Sequence, residues 1–267
     1  VNYQETEYWI DQLFPGKMDV WELQASLPSS GRRAKPELGE PFSIAVFRQP
    51  APSAQDEPAK LADFEAAAAA EANEHGDDMG PDGQTVCCTL DLSRFDATLR
   101  SDSGQDVRAE LFFAGYELFP IADIVATAAT VITESGGMIH PVPGTLLPEV
   151  VTYTVDDMEQ EGERVSVDMT TPHGLLIVPY VWPQGTPMVT EAQDDLHVHD
   201  NDHGLHEDVP TPTNGRVTTL IQLITITDEE LEFAQEHGVM DLMKALSDAG
   251  ADVQDLGRAS VVNRSRR

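Results

Sequence analysis

The chain has 267 residues, of which 47 are acidic and 16 basic, giving a formal charge of −31 and a pI near 4.3. A surface this acidic repels phosphate, which argues against nucleic acid and anionic membranes as partners and leaves cations or a basic protein. With 40% hydrophobic residues the chain can bury a core, two cysteines cannot staple a secreted scaffold, and no apolar run reaches the roughly 18 residues of a membrane helix.

The start does not read as a signal peptide, so the expected setting is the cytoplasm. Residues 3–27 hold Tyr8, Trp9, Ile10, Leu13, Phe14, Trp21 and Leu23 and read as core rather than tail. Trp21-Glu22-Leu23-Gln24-Ala25 alternates apolar with polar, the period of a half-buried strand. Residues 28–40, rich in Ser, Gly, Pro and Arg, read as a loop, and 42–47 as a second strand closed by Pro50 and Pro52. Residues 53–83 are of low complexity. Asp63 and Glu65 ahead of the alanines at 66–70 predict a helix of about four turns. An acidic, glycine-rich loop follows it, either a linker between domains or an insertion within one.

Residues 85–90 and 108–116 predict strands, with a turn at Ser101-Asp102-Ser103-Gly104 between them. Pro120 opens an apolar-periodic stretch that stops at Gly136-Gly137, the pattern of a helix burying Ile121, Ile124, Val125, Ala128 and Ile132. Strands are expected at 150–155, 164–169 and 174–180, the last apolar throughout and so buried on both faces. Residues 188–212 form a second low-complexity segment with almost nothing to offer a core. Residues 217–226 carry the strongest strand signal in the chain. Thr227 with Glu230 is a capping box that starts a helix at Asp228, and Gly238 stops it. A second helix over 239–249 places Leu242, Met243 and Leu246 inward and stops at Gly250, and 251–267 is expected to be a flexible basic tail.

This order predicts an α+β fold, a mixed and mainly antiparallel sheet flanked by helices. Residues 1–83 read as part of the same domain as the 84–250 core, which carries the His/Asp-rich insertion at 188–212.

Known catalytic patterns are missing. No glycine-rich phosphate loop or G-x-S-x-G elbow occurs, and His206-Glu207-Asp208-Val209-Pro210 lacks the second His of a zinc-protease motif. An EF-hand alignment on Gly204 puts Pro210 where the bidentate Glu belongs. Neither enzyme chemistry nor a cofactor is expected. Cys87-Cys88 lies on a strand, so the two thiols point to opposite faces, one expected buried and one half-exposed. The metal candidate is His197, His199, His203 and His206, four imidazoles within ten residues. The loop has no apolar anchor for a supporting shell, so loose cation binding is the plainer reading and a metal-binding or metal-dependent protein the alternative one. His173 reads as a residue at a strand start satisfied by backbone, His140 and His75 have no recognisable partner, and His237 suits a helix C-terminus.

The closing third resembles a known family. The strand ending Leu175-Leu176-Ile177-Val178-Pro179 comes first, then Leu220-Ile221-Gln222-Leu223-Ile224-Thr225-Ile226. Next are Thr227-Asp228-Glu229-Glu230, the His237-Gly238 stop and Leu242-Met243. Together with Arg108-Ala109-Glu110-Leu111-Phe112-Phe113-Ala114-Gly115-Tyr116 and the helix from Pro120, this order over 84–247 resembles the Suppressor of fused domain family. The resemblance implies a non-catalytic protein-binding domain. Animal members bind and sequester a transcription-factor peptide, and many bacterial members resemble immunity proteins that neutralise a toxin. A bacterial immunity-type protein that sequesters a basic partner is therefore the expected function. The exposed acids beside the C-terminal helices, Asp228, Glu229, Glu232 and Glu236, are the candidate contacts, with an ordinary solvated helix face as the plain reading of the same residues.

Overall fold

A computed structural model describes residues 2–24, 41–49, 84–116, 118–151, 159–160, 163–164, 169–191 and 214–262. The expected loop at 28–40, the alanine-rich helix and acidic loop within 53–83, His75, and the four clustered histidines at 197–206 lie outside the described residues. So do 152–158, 165–168 and 263–267.

The chain opens with a helix that the aromatic pattern did not announce, α1 (Tyr3–Asp11). Asn2 starts it: its side chain accepts the Glu5 N–H and the Glu5 carboxylate accepts the Asn2 N–H, both at 3.0 Å. This reciprocal pair satisfies two donors that a helix start leaves orphaned. Then come β1 (Met18–Leu23), β2 (Phe42–Gln49), β3 (Gln84–Thr89), β4 (Asp106–Gly115) and α2 (Leu118–Glu134). The short β5 (Leu146–Leu147), β6 (Glu159–Gln160) and β7 (Glu163–Arg164) follow, the last two forming a separate two-stranded pair. β8 (His173–Ile177), β9 (Met188–Glu191), β10 (Arg216–Ile226), α3 (Asp228–His237) and α4 (Val239–Ala249) complete the chain.

The main sheet runs β1-β2-β3-β4-β10-β8-β5, with β9 also on β10. Among the described strands only β4 and β10 pair in parallel, so the sheet is mixed and mainly antiparallel, as expected. β8 opposes Gln222–Ile226 and β9 opposes Arg216–Thr219 on the same side of β10. Residues 173–191 thus run once along β10, interrupted by an excursion at 178–187. β8 ends three residues earlier than the apolar run suggests, because Pro179 cannot donate to a ladder. Val150 and Val151 lie outside any strand. Met188–Glu191, expected to be loop, joins the sheet through backbone pairing that needs no core side chains.

Alternation divides the side chains between two faces. On one face Leu111, Phe113, Leu176, Ile221, Leu223 and Cys87 pack beneath α2, which contributes Ile121, Ile124, Val125, Ala128 and Ile132. The opposite face holds two clusters. Phe47, Cys88, Phe112 and Leu220 meet Ile10 and Phe14 at the α1 end, while Leu175, Ile177, Ile224 and Ile226 meet Ala234, Leu242 and Leu246 of α3 and α4. Helices on both faces explain the correction at the vicinal cysteines. They do point apart, but α1 covers the second face, so both free thiols are fully buried and burial pushes both well above the usual thiol range.

Close packing fixes Gly174. A Cβ there would sit 2.9 Å from Leu223 Cδ1, 3.1 Å from Val150 Cγ2 and 3.3 Å from Leu147 Cβ. Gly174→Ala is expected to cost about 1–3 kcal/mol by overpacking, read from the urea midpoint; an unchanged midpoint would show that the core yields freely there.

Candidate protein-binding surface

The acids proposed as contacts sit where β10 turns into α3. Thr227 Oγ1 accepts the Glu230 N–H at 3.3 Å and Glu230 Oε2 accepts the Thr227 N–H at 3.0 Å, the expected capping box. Glu230 does more than cap. Arg258 Nη1 donates to its Oε1 and Nη2 to its Oε2, each at 2.7 Å, and the Val261 N–H adds a third partner at 3.0 Å. Arg258 Nη2 also donates to the Thr225 carbonyl at 3.0 Å. Burial pushes the Glu230 carboxyl up, but the guanidinium and the two backbone N–H groups outweigh it and hold it below the usual carboxylate range. This fork fastens 258–262 against the helix start, so that part of the tail does not fray. Its composition is basic and polar, yet Arg258 is buried by a partner 28 residues upstream.

Asp228, one residue into α3, is exposed and accepts from His173 Nε2 at 2.8 Å. His173 Nδ1 accepts the Glu149 N–H at 2.9 Å, so the imidazole is backbone-satisfied at one nitrogen and carboxylate-satisfied at the other. Glu229 lines an open cleft of ≈ 380 Å³ together with Thr170, Thr227, Arg258 and Ser260. Glu232 and Glu236 are exposed on the next two turns. Positions 228, 232 and 236 recur every four residues and form one stripe along the helix, with Glu229 beside its start. The far side of α3 faces the core through Leu231 and Ala234. His237 closes the helix, stacked on Phe233 with ring centroids 4.4 Å apart. His140, without an evident partner in the sequence, has Nδ1 3.1 Å from the Ala97 carbonyl.

Charge of both signs is used inside: among the described residues Arg108 and Arg258 are buried, and so are Asp106, Glu110, Glu191 and Glu230. Asp106, fully buried at the start of β4, accepts from Arg100 Nη1 at 2.7 Å, Arg108 Nε at 2.7 Å and Arg216 Nε at 3.2 Å. Arg108 is two residues from Asp106 on β4, but Arg216 lies 110 residues from Asp106 and Arg258 28 residues from Glu230, and no spacing rule marks those pairs.

Among the described residues no group of three or more His, Cys, Asp or Glu could hold a metal ion, and no helix is long and apolar enough to cross a membrane. His197, His199, His203 and His206 are outside the described residues.

A family model described as Suppressor of fused protein matches residues 74–259, well over half of the chain. The chain belongs to the Suppressor of fused family. The matched span takes in the sheet from β3 onward, all three later helices and Arg258, so the Glu230 fork lies within the Suppressor of fused region. Solved structures similar at low identity include two of Suppressor of fused proteins. The Sufu-Fu complex crystal structure shares 13% identity over 82% of this chain and 77% of that one, with a TM-score of 0.42. The crystal structure of Drosophila Suppressor of Fused shares 14% over 82% of this chain and 42% of that one, with a TM-score of 0.40. This chain therefore spans less than half of the Drosophila chain. No curated protein sequence matches it.

Proposed function

We propose that this chain is a non-catalytic protein-binding domain that sequesters a basic partner in the cytoplasm, as a bacterial immunity-type protein does. Membership of the Suppressor of fused family supports the protein-binding part. The observation that carries the choice of partner is the stripe Asp228, Glu232 and Glu236 on a helix whose first turn is locked by Arg258. A preorganised stripe loses little conformational entropy when it engages a partner. A net charge of −31 speeds encounter with a basic surface and slows it with an acidic one. The cleft beside Glu229 is lined by Thr170 and Ser260, whose hydroxyls donate to the Arg258 and Val262 carbonyls and so hold its wall in place.

Affinity purification of the full chain from its source cells tests this. One protein is expected in stoichiometric amount, with an association rate that falls as salt rises. The double reversal Glu232→Lys with Glu236→Lys should slow association about tenfold and leave the fold intact, because both side chains are exposed. A rate indifferent to both salt and charge reversal sinks the electrostatic reading, and the absence of any stoichiometric partner sinks the binding one.

A further inference from the structure

The two apolar clusters on the α1 side of the sheet do not merge. Leu220, Gln222 and Ile224 of β10 share that face by alternation. Leu220 belongs to the cluster under α1 and Ile224 to the one under α3 and α4, with Gln222 buried between them. The excursion at 178–187 crosses this gap; Thr219 Oγ1 donates to the Pro187 carbonyl at 3.4 Å where it rejoins the sheet, and two further anchors hold its first half. The Tyr180 N–H donates to Gln222 Oε1 at 3.4 Å, and the Trp182 ring lies 5.6 Å from Phe14 and 5.5 Å from Phe112, centroid to centroid. Between and beside these anchors apolar side chains stay at the surface: Val178 is 61% exposed, Tyr180 52% and Val181 42%.

Tyr116, just past the end of β4 and 40% exposed, stands close enough to Tyr180 for the two phenols to interact electrostatically. Its hydroxyl donates to Asp252 Oδ2 at 2.8 Å. That hydrogen bond, then burial and the charges of Asp252 and Asp255, push its pKa up to about 12. Tyr116 thus sits beside two carboxylates, and Tyr180, flanked in the chain by Val178 and Val181, acts on it from the excursion.

We infer that Tyr116, Tyr180, Val178 and Val181, rimmed by Asp252 and Asp255, form a docking surface for a peptide segment that carries arginine or lysine next to apolar residues. This rests on the reading of the chain as a protein-binding domain. A cation over a phenol face is attracted by the ring quadrupole, and the carboxylates neutralise it. Tyrosines supply large contact area for little entropy, and Val178 and Val181 take the apolar neighbours. An acidic segment would meet Asp252 and Asp255, and the chain's own charge would repel it.

The test uses the full chain and two fluorescein-labelled twelve-residue peptides, one alternating lysine with leucine and one alternating glutamate with leucine, followed by fluorescence anisotropy. The lysine peptide should bind saturably and the glutamate peptide should not. Tyr180→Ser should weaken binding about tenfold, and Val181→Arg should do the same by repulsion, both at exposed positions that leave the circular dichroism unchanged. Failure of the lysine peptide to bind overturns the inference, as does equal affinity of the wild type and both variants. Neither result bears on the partner recovered by affinity purification, so a failed patch and a failed binding function remain distinguishable.

Discussion

Arg258→Met is expected to destabilise the protein by about 3–5 kcal/mol, a large share of what holds a typical domain folded. The variant keeps the apolar stem and deletes both charge-assisted bonds to Glu230. The carboxylate then stays buried with only the Thr227 and Val261 N–H groups, and burial, which the guanidinium had overcome, lifts its pKa. The Thr225 carbonyl loses its donor, and the segment carrying Val261 and Val262 loses its anchor beside the α3 and α4 cluster. The double variant Glu230→Met with Arg258→Met should be less damaged than the sum of the singles, because no charge is stranded. A depressed carboxylate contributes stability above its unfolded value, near 4.5, and loses it as pH falls through its lower folded value. Wild type and Arg258→Met should therefore differ most at neutral pH and converge as the medium is acidified below that range. Urea titrations at several pH values read both effects; a loss under about 1 kcal/mol at pH 7 would reduce the fork to an ordinary surface pair.

Why the fork escapes a sequence reading is a matter of range. β10 and the two helices after it are legible because their signals are local: a run rich in β-branched and apolar residues, Thr227 with Glu230, and glycines at 238 and 250 where the backbone turns to positive φ. α2 is legible from its 3.6-residue period and buries each of the five residues expected. α1 had a local signal too, Asn2 three residues before Glu5, but Tyr8, Trp9 and Ile10 drew the reading toward core without a shape. Contacts between distant segments leave no such trace. The parallel pairing of β4 with β10 joins Asp106 to Arg216, and nothing in either strand announces the other. Arg258 looks like one more base in a basic tail until Glu230 is placed beneath it. The pairing of Tyr116 with Asp252, 136 residues away in the chain, is likewise a product of the fold. The acids at 228, 229, 232 and 236 are legible as a helix face; what binds them is a question for the partner.

Glu110→Gln is expected to remove a pH dependence that the wild type shows between pH 5 and 8. Glu110 lies mid-strand in β4, fully buried, where an apolar residue would be ordinary. Its carboxylate accepts the Thr89 hydroxyl, the Leu92 N–H at 3.1 Å and the Ser93 N–H at 3.0 Å. It thereby serves the backbone donors at the start of the 3-10 turn Leu92–Arg94, which lacks a side-chain cap of its own. Those donors favour the ionised form, but burial outweighs them, so the pKa rises to about 7. A raised carboxyl binds its proton in the folded state at pH values where the unfolded chain, near 4.5, has released it. Its contribution is therefore complete below about pH 4.5 and is lost as pH rises through 7, a span of about 3 kcal/mol. Relief of repulsion among surface acids slopes the same way in both proteins, so the difference between wild type and variant isolates Glu110. Below its pKa Glu110 is a neutral carboxyl whose hydroxyl oxygen can still accept, whereas the NH2 of glutamine cannot accept from the N–H it faces, which should cost about 1–2 kcal/mol at acid pH. The variant should accordingly be the less stable protein at pH 5, with the gap closing or reversing by pH 8. Parallel stability curves for the two proteins would mean that Glu110 stays ionised throughout, with the N–H groups of the turn outweighing its burial.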